Sequence, residues 1–155
     1  MNLNYELEGI KAVFMDLDGT LYLGNNPIPG VNEFLSRLSD RGIKKYYLSN
    51  NSSRSKKDYI GKLSSFGINA KESEILLSTD DLLGWLNANN YSKTYTIGTI
   101  SMCEMLEENG IITKSNQPEI VVLGYDTEIN YEKLTKASIY LHKGIPLVAS
   151  HPDTV

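Results

Sequence analysis

An apolar run, Ala12-Val13-Phe14-Met15, leads into two carboxylates one residue apart, and Gly19-Thr20 then breaks the run. In a strand alternate side chains share a face, so Asp16 and Asp18 point the same way. The break leaves both acids at the strand's carboxyl end, where open α/β sheets bind ligands. Two close carboxylates repel unless a cation neutralises them. An oxygen-only pair suits a hard metal such as Mg²⁺. It also suits a division of labour in which one carboxylate attacks and the other moves protons. A plainer reading also fits these residues: an Asp-Gly turn after a strand. Only the strand context separates the two.

The rest of the chain reads as alternating strands and helices. A strand is expected over 11–17. Val31, Phe34, Leu35 and Leu38 form one face of a helix that starts after Pro29-Gly30 and stops at Gly42. A second strand covers 44–49. Ser52 or Ser53 then caps a helix with Tyr59, Ile60 and Leu63 on its apolar face, ended by Gly67. A short strand covers 75–77. This order implies a parallel sheet with right-handed crossovers. A second set follows with no flexible linker: a helix through Leu82, Leu83 and Leu86 capped by Ser78-Thr79, a strand over 94–98, and a helix over 100–109. A strand over 119–124, a helix carrying Tyr131, Leu134, Ser138 and Leu141, and a strand over 146–150 complete it. The two sets divide near 78–82.

With 155 residues and 41% hydrophobic content, one ordinary domain or two small ones can be packed. The net charge is −4, and no basic block exceeds Lys56-Lys57 with Arg54 nearby, so nucleic-acid binding has little electrostatic support. No apolar run approaches a membrane span, and the first residues lack a basic, apolar leader. The single cysteine, Cys103, forbids an intrachain disulfide and fits a reducing cytoplasm. Its neighbours read as helix, so it is expected as a small buried side chain. The ten tyrosines are expected at the core boundary with wet hydroxyls.

Leu48-Ser49-Asn50-Asn51-Ser52-Ser53 follows the second strand. A hydroxyl and an amide there can hydrogen-bond phosphate oxygens, helped by the amides of the next helix. A polar strand-to-helix turn accounts for them equally. The loop Gly124-Tyr125-Asp126-Thr127-Glu128-Ile129-Asn130 carries two acids that could face a ligand, or simply precedes a helix capped by Asn130. His151 stands with no His/Cys cluster to make a zinc site.

The string FMDLDGTLYLGNNPIPG, with Asp16-Leu17-Asp18-Gly19-Thr20 at its heart, resembles the first motif of the haloacid dehalogenase (HAD) superfamily of phosphohydrolases, in its NagD-like, nitrophenylphosphatase-like branch. The resemblance implies an α/β fold: part of a Rossmann-like core over 1–79 and an incomplete α/β cap over 80–155, inserted after the second motif. Between Asp16 and Ser49 there is room for one helix and one strand, and none for a cap. It implies a Mg²⁺-dependent phosphomonoester hydrolase acting on a sugar phosphate or similar small metabolite through an aspartyl-phosphate. Asp16 would be the nucleophile, and Asp18 would protonate the leaving oxygen and later activate water. Mg²⁺ would sit on Asp16 and the backbone carbonyl of Asp18. Ser49, Asn50 and Gly19 would hold the phosphate, and Asp126 and Glu128 would read the leaving group. Asp18 marks a phosphatase, since dehalogenases lack it and transport ATPases carry Thr.

The resemblance also sets expectations at the far end. His151-Pro152-Asp153 stands where relatives carry T-N-x-D, with Asp153 matching and His151 departing. The family's third-motif Lys and fourth-motif acids come after the cap and do not occur by Val155; Lys143 is no substitute. Residues 1–155 alone are therefore expected to be inactive, with Val13-Phe14-Met15 an exposed edge that invites homo-oligomers. The alternative is a non-catalytic fragment serving as a binding or structural module. A phosphoacceptor signalling domain fits less well, because its acceptor Asp belongs on a middle strand.

Overall fold

The structure, a computed structural model, describes residues 9–151. Pro152 and Asp153 lie outside them. Two compact units emerge: the chain up to Ser49 with Tyr59–Leu76, and Asn50–Asp58 with Leu77 onward. The short segment 50–58 therefore groups with the second half of the chain, and the partition falls inside a helix.

In the first unit, β1 (Ala12–Asp16) pairs in parallel with β4 (Lys44–Ser49), and β5 (Ile75–Leu77) follows in the order β1-β4-β5. α1 (Val31–Asp40) turns Val31, Leu35 and Leu38 inward, a spacing that puts all three on one stripe. α2 (Lys56–Ser65) turns in Tyr59 and Leu63. β1 is buried on one face only. Met15 is buried, whereas Phe14 is 61% exposed and stacks on Tyr46 with ring centroids 5.0 Å apart. Alternation explains this: Phe14 and Asp16 share a face with their register partners Tyr46 and Leu48, and β1 is an edge of the described sheet.

Several local features depart from expectation. Between β1 and α1 lies a small antiparallel hairpin, β2 (Tyr22–Leu23) and β3 (Asn26–Pro27). α2 begins at Lys56 and is not capped by Ser52 or Ser53. Ser55 and Asp58 cap each other reciprocally, the Ser55 amide donating to Asp58 Oδ2 at 2.8 Å and the Asp58 amide donating to Ser55 Oγ at 3.3 Å. Three tyrosines are not boundary residues: Tyr22, Tyr47 and Tyr59 are fully buried. Burial, with a smaller contribution from Glu74, pushes the Tyr47 hydroxyl up to about 12.

The second unit holds α3 (Ser78–Ala88), β6 (Thr94–Ile97), α4 (Ile100–Glu108), β7 (Ile120–Leu123), α5 (Tyr131–His142) and β8 (Leu147–Ala149). β6, β7 and β8 are parallel neighbours in that order. The cluster Leu82, Leu86, Met102, Leu106, Ile120 and Val122 puts α3 and α4 on one face of this sheet. Tyr95, Ile97, Val121 and Ala137 put α5 on the other. After α4 the chain passes along the outer side of β6, where Ile112 and Lys114 bridge to Lys93 and Tyr95. The crossover from β6 therefore leads one way and that from β7 the other. The switch point of the sheet lies between their carboxyl ends.

Segment 50–58 is tied to those carboxyl ends by hydroxyls. Buried Ser52 accepts from the Tyr125 amide at 2.7 Å and from Ser150 Oγ at 2.8 Å. Thr99 donates to the Ser53 carbonyl at 2.8 Å, and Ser101 donates to Asp58 Oδ2 at 2.5 Å. Partial burial works to raise the Asp58 carboxyl, but the hydrogen bonds from Ser101 and Ser55 outweigh it and hold it below its ordinary value. A carboxyl held low in the folded state stabilises the fold above its unfolded pKa, and that contribution is lost as pH falls through the folded pKa. Urea unfolding of Asp58→Asn and the parent chain should thus show the variant less stable at about pH 7, with the gap narrowing as pH falls below about 4.

Candidate active site

β1 and β4 carry the polar residues to one end of the sheet. Met15 and Leu17 are buried, which turns Asp16 and Asp18 outward on either side of Leu17. The chain then turns at Gly19, whose φ of 89° lies in the left-handed region open to glycine. Its amide donates to the Tyr22 carbonyl at 2.7 Å, which closes the turn. Gly19 was expected as a phosphate contact; in this structure its amide is committed to the hairpin. Asp16 Oδ2 accepts from Thr20 Oγ1 at 3.0 Å. Asp18 Oδ2 accepts from the Tyr22 hydroxyl at 3.2 Å, and Lys62 Nζ lies 3.7 Å from Asp18 Oδ1. Ser49 is the next residue after Leu48, which pairs with Asp16, so it too ends its strand beside the acids. Its hydroxyl is buried against Tyr59 Oη at 2.7 Å. Asn50 is exposed, falls in the other unit, and accepts from Ser78 Oγ through its carbonyl at 3.0 Å.

The donor chemistry fits a hard cation. Asp16 and Asp18 offer only oxygens and are exposed at a strand end. Among the described residues no group of three or more His, Cys, Asp or Glu is gathered to hold a metal. Mg²⁺ does not need one, since it is bound through one or two carboxylates and retains several waters. His151 belongs to no such group among the described residues.

The loop 124–130 opens at the switch point of the second unit. Asp126, whose side chain is 1% exposed, is paired with Lys133 Nζ at 2.7 Å, and that amine also donates to the Gly98 carbonyl at 2.9 Å. Asp126 Oδ1 accepts from the Glu128 amide at 2.8 Å, so this carboxylate holds its own loop together. Glu128 Oε2 accepts from the Ile100 amide at 3.0 Å, which satisfies one of the orphan amides at the start of α4. Asn130 caps α5 through the Lys133 amide at 3.0 Å. Glu128 and Lys133 also line a cavity of about 410 Å³ together with Thr96, Gly98, Glu104 and Lys114. Cys103 is buried in α4 as expected, and burial raises its thiol.

Sequence reasoning did not single out Thr20, Tyr22, Tyr59, Lys62 or Lys133. The signal for Tyr59 and Lys62 is their spacing, since positions three apart on a helix are neighbours.

A family model for haloacid dehalogenase-like hydrolases matches residues 13–112. The chain belongs to that family. It is 30% identical over 145 residues to an acid sugar phosphatase of Staphylococcus aureus, a match that covers 92% of this chain and 56% of the relative. The fold is similar to a 4-nitrophenylphosphatase from Thermotoga maritima, with a TM-score of 0.87 and 32% identity over 93% of this chain and 56% of that one. It is also similar to NagD from E. coli K-12, with a TM-score of 0.82 and 27% identity over 94% and 58%. A glycerol phosphate phosphatase of Mycobacterium tuberculosis, solved in complex with magnesium, shares the fold at a TM-score of 0.83 and 23% identity, over 93% of this chain and 44% of that one. The chain thus spans a little over half the length of the curated relative it matches. Among the described residues no helix is long and apolar enough to cross a membrane.

The Asp126–Lys133 pair makes a clear stability prediction. Removing one partner of a buried pair leaves an uncompensated charge, at a cost of about 3–5 kcal/mol. Lys133→Met should lower unfolding stability by that order, whereas Lys136→Ala, which breaks the exposed pair with Glu132, should change it little. Equal effects in denaturant titrations would contradict this account of the loop.

Proposed function

We propose that the intact protein is a phosphatase that hydrolyses small phosphate monoesters, with Asp16 as nucleophile and Asp18 as general acid and base. The observation that carries this reading is the pair of outward-facing carboxylates at the carboxyl end of β1. Leu17 is locked in the core between them, and Ser49 ends the neighbouring strand. The similarity to an acid sugar phosphatase and to nitrophenylphosphatases supports the substrate class.

Asp16 attacks phosphorus in line, forming the aspartyl-phosphate as the ester oxygen leaves. Asp18 gives that oxygen its proton and then takes one from the water that attacks the aspartyl-phosphate. Ser49 and Asn50 orient the phosphoryl oxygens. In phosphoryl transfer positioning and charge neutralisation supply most of the catalysis. Asp16 and the Asp18 carbonyl would hold Mg²⁺, which when bound would supply positive charge between the anionic carboxylate and the anionic phosphate. On this reading residues 1–79 form part of the core and 80–155 part of a cap. On the same reading Asp126 and Glu128 belong to the cap loop that bears on substrate preference. The single cysteine fits a cytoplasmic enzyme.

The intact protein should release p-nitrophenol from p-nitrophenyl phosphate with Mg²⁺ and stop when EDTA is in excess. Asp16→Asn should abolish turnover while the fold persists, and Asp18→Asn should reduce it by about 100-fold or more. Retention of most of the rate by Asp16→Asn would overturn the nucleophile assignment. Glu128→Ala should change the ranking of substrates in a phosphate-ester panel more than it changes the rate on p-nitrophenyl phosphate, since leaving-group contacts are not contacts to phosphorus.

A further inference from the structure

Lys62 lies in α2 outside the residues discussed as catalytic, and its environment is unusual for a lysine. Its side chain is only 13% exposed, while that of Asp18 is 49% exposed. Its amine sits 3.9 Å above the centre of the Tyr22 ring and 3.7 Å from Asp18 Oδ1. Tyr22 is fully buried, packs against Phe66 with ring centroids 5.4 Å apart, and donates its hydroxyl to Asp18 Oδ2 at 3.2 Å. One carboxylate is thus gripped at both oxygens from two elements, a hydroxyl from the β2–β3 hairpin and a cation from α2. Desolvating a lysine is costly unless its charge is met. A cation over an aromatic face and beside a carboxylate recovers part of that cost. At 3.7 Å the Lys62 contact is longer than a hydrogen bond, so the amine acts as a charge, and the direction of Asp18 is set by the tyrosine.

We propose that Lys62, acting with Tyr22, is a positioning residue for Asp18 in the phosphatase reaction. The pair fixes the rotation of the Asp18 carboxylate, so that its free edge faces the ester oxygen and the attacking water. Lys62 approaches Asp18 from the helix side, and its effect on turnover acts through Asp18. Displacement of a reacting group by 1 Å can cost on the order of 100-fold in rate. A mutation at Lys62 therefore reports on turnover and leaves ground-state binding of the phosphate alone. This inference rests on Asp18 being the acid and base.

The test is steady-state kinetics of the intact protein on p-nitrophenyl phosphate and on an alkyl phosphate, with thermal unfolding as a check on folding. Lys62→Met should lower kcat by about 10- to 100-fold and leave KM within about threefold. Lys62→Arg, which keeps the charge over the ring, should restore most of the rate. Tyr22→Phe removes only the hydroxyl and should reproduce the kcat loss, which keeps the proposal testable should Lys62→Met fold poorly. In an Asp18→Asn background, followed at high enzyme concentration, Lys62→Met should cost nothing further. The proposal is overturned if Lys62→Met and Tyr22→Phe keep kcat within twofold of the parent. It is equally overturned if the Lys62→Met loss persists undiminished when Asp18 is already Asn. Full activity of Asp18→Asn alone would sink the acid–base reading and this inference together. Indifference to Lys62 and Tyr22 with Asp18 still required would remove this inference only.

Discussion

Everything at the first site depends on Leu17 being driven into the core. Burying that one side chain between two acids uses the alternation of a strand to push both carboxylates out at the same end. Burial of a leucine stabilises by about 1.5–3 kcal/mol. The left-handed turn at Gly19 then folds the chain back so that Thr20 and Tyr22 reach the acids they follow. Local sequence and core packing thus cooperate within a stretch of seven residues, 16–22.

Much of the architecture was legible because it is periodic. The helices α1, α4 and α5 fall where their apolar stripes and end signals put them, and β4, β6 and β7 near their expected bounds; α3 keeps its apolar stripe, but Ser78 and Thr79 lie inside it and the residue before it, Leu77, donates its amide to Asp80 Oδ2 at 2.9 Å. The β2–β3 hairpin was not legible. Two-residue strands carry no period, and their pairing is decided by backbone bonds such as Ile28 to Leu21 at 2.9 Å. Ser52 was misread as a helix cap for a related reason. A serine after a strand looks the same whether its hydroxyl meets its own helix or an amide 73 positions away. The buried tyrosines were missed because hydroxyl partners such as Ser49 and Asp18 cannot be seen from composition.

At the candidate sites the acids themselves were legible and their surroundings were not. Asp16 and Asp18 stand out as a motif. Lys62 does not, because a lysine in an amphipathic helix ordinarily lies in solvent. Asp126 shows how the surroundings of an acid escape the sequence: its carboxylate pairs with Lys133 and accepts from the Glu128 amide. A charge is informative only with its counter-charge, and here the counter-charge comes from the helix that follows.

The hydroxyl of Ser52 closes a long circuit. It receives hydrogen bonds from Tyr125 and Ser150, so the ends of β7 and the turn after β8 are sealed by a residue made long before them. During synthesis that serine must wait through the emergence of four helices and four strands for the second of its partners. The second unit is therefore discontinuous in sequence, and its contact order is higher than that of a domain folded from one continuous stretch. A polypeptide beginning at Leu77 would lack this plug, and the Tyr125 amide would lose the hydroxyl that accepts from it. Segment 50–58 is thus a structural part of the second unit, although in sequence it interrupts the first.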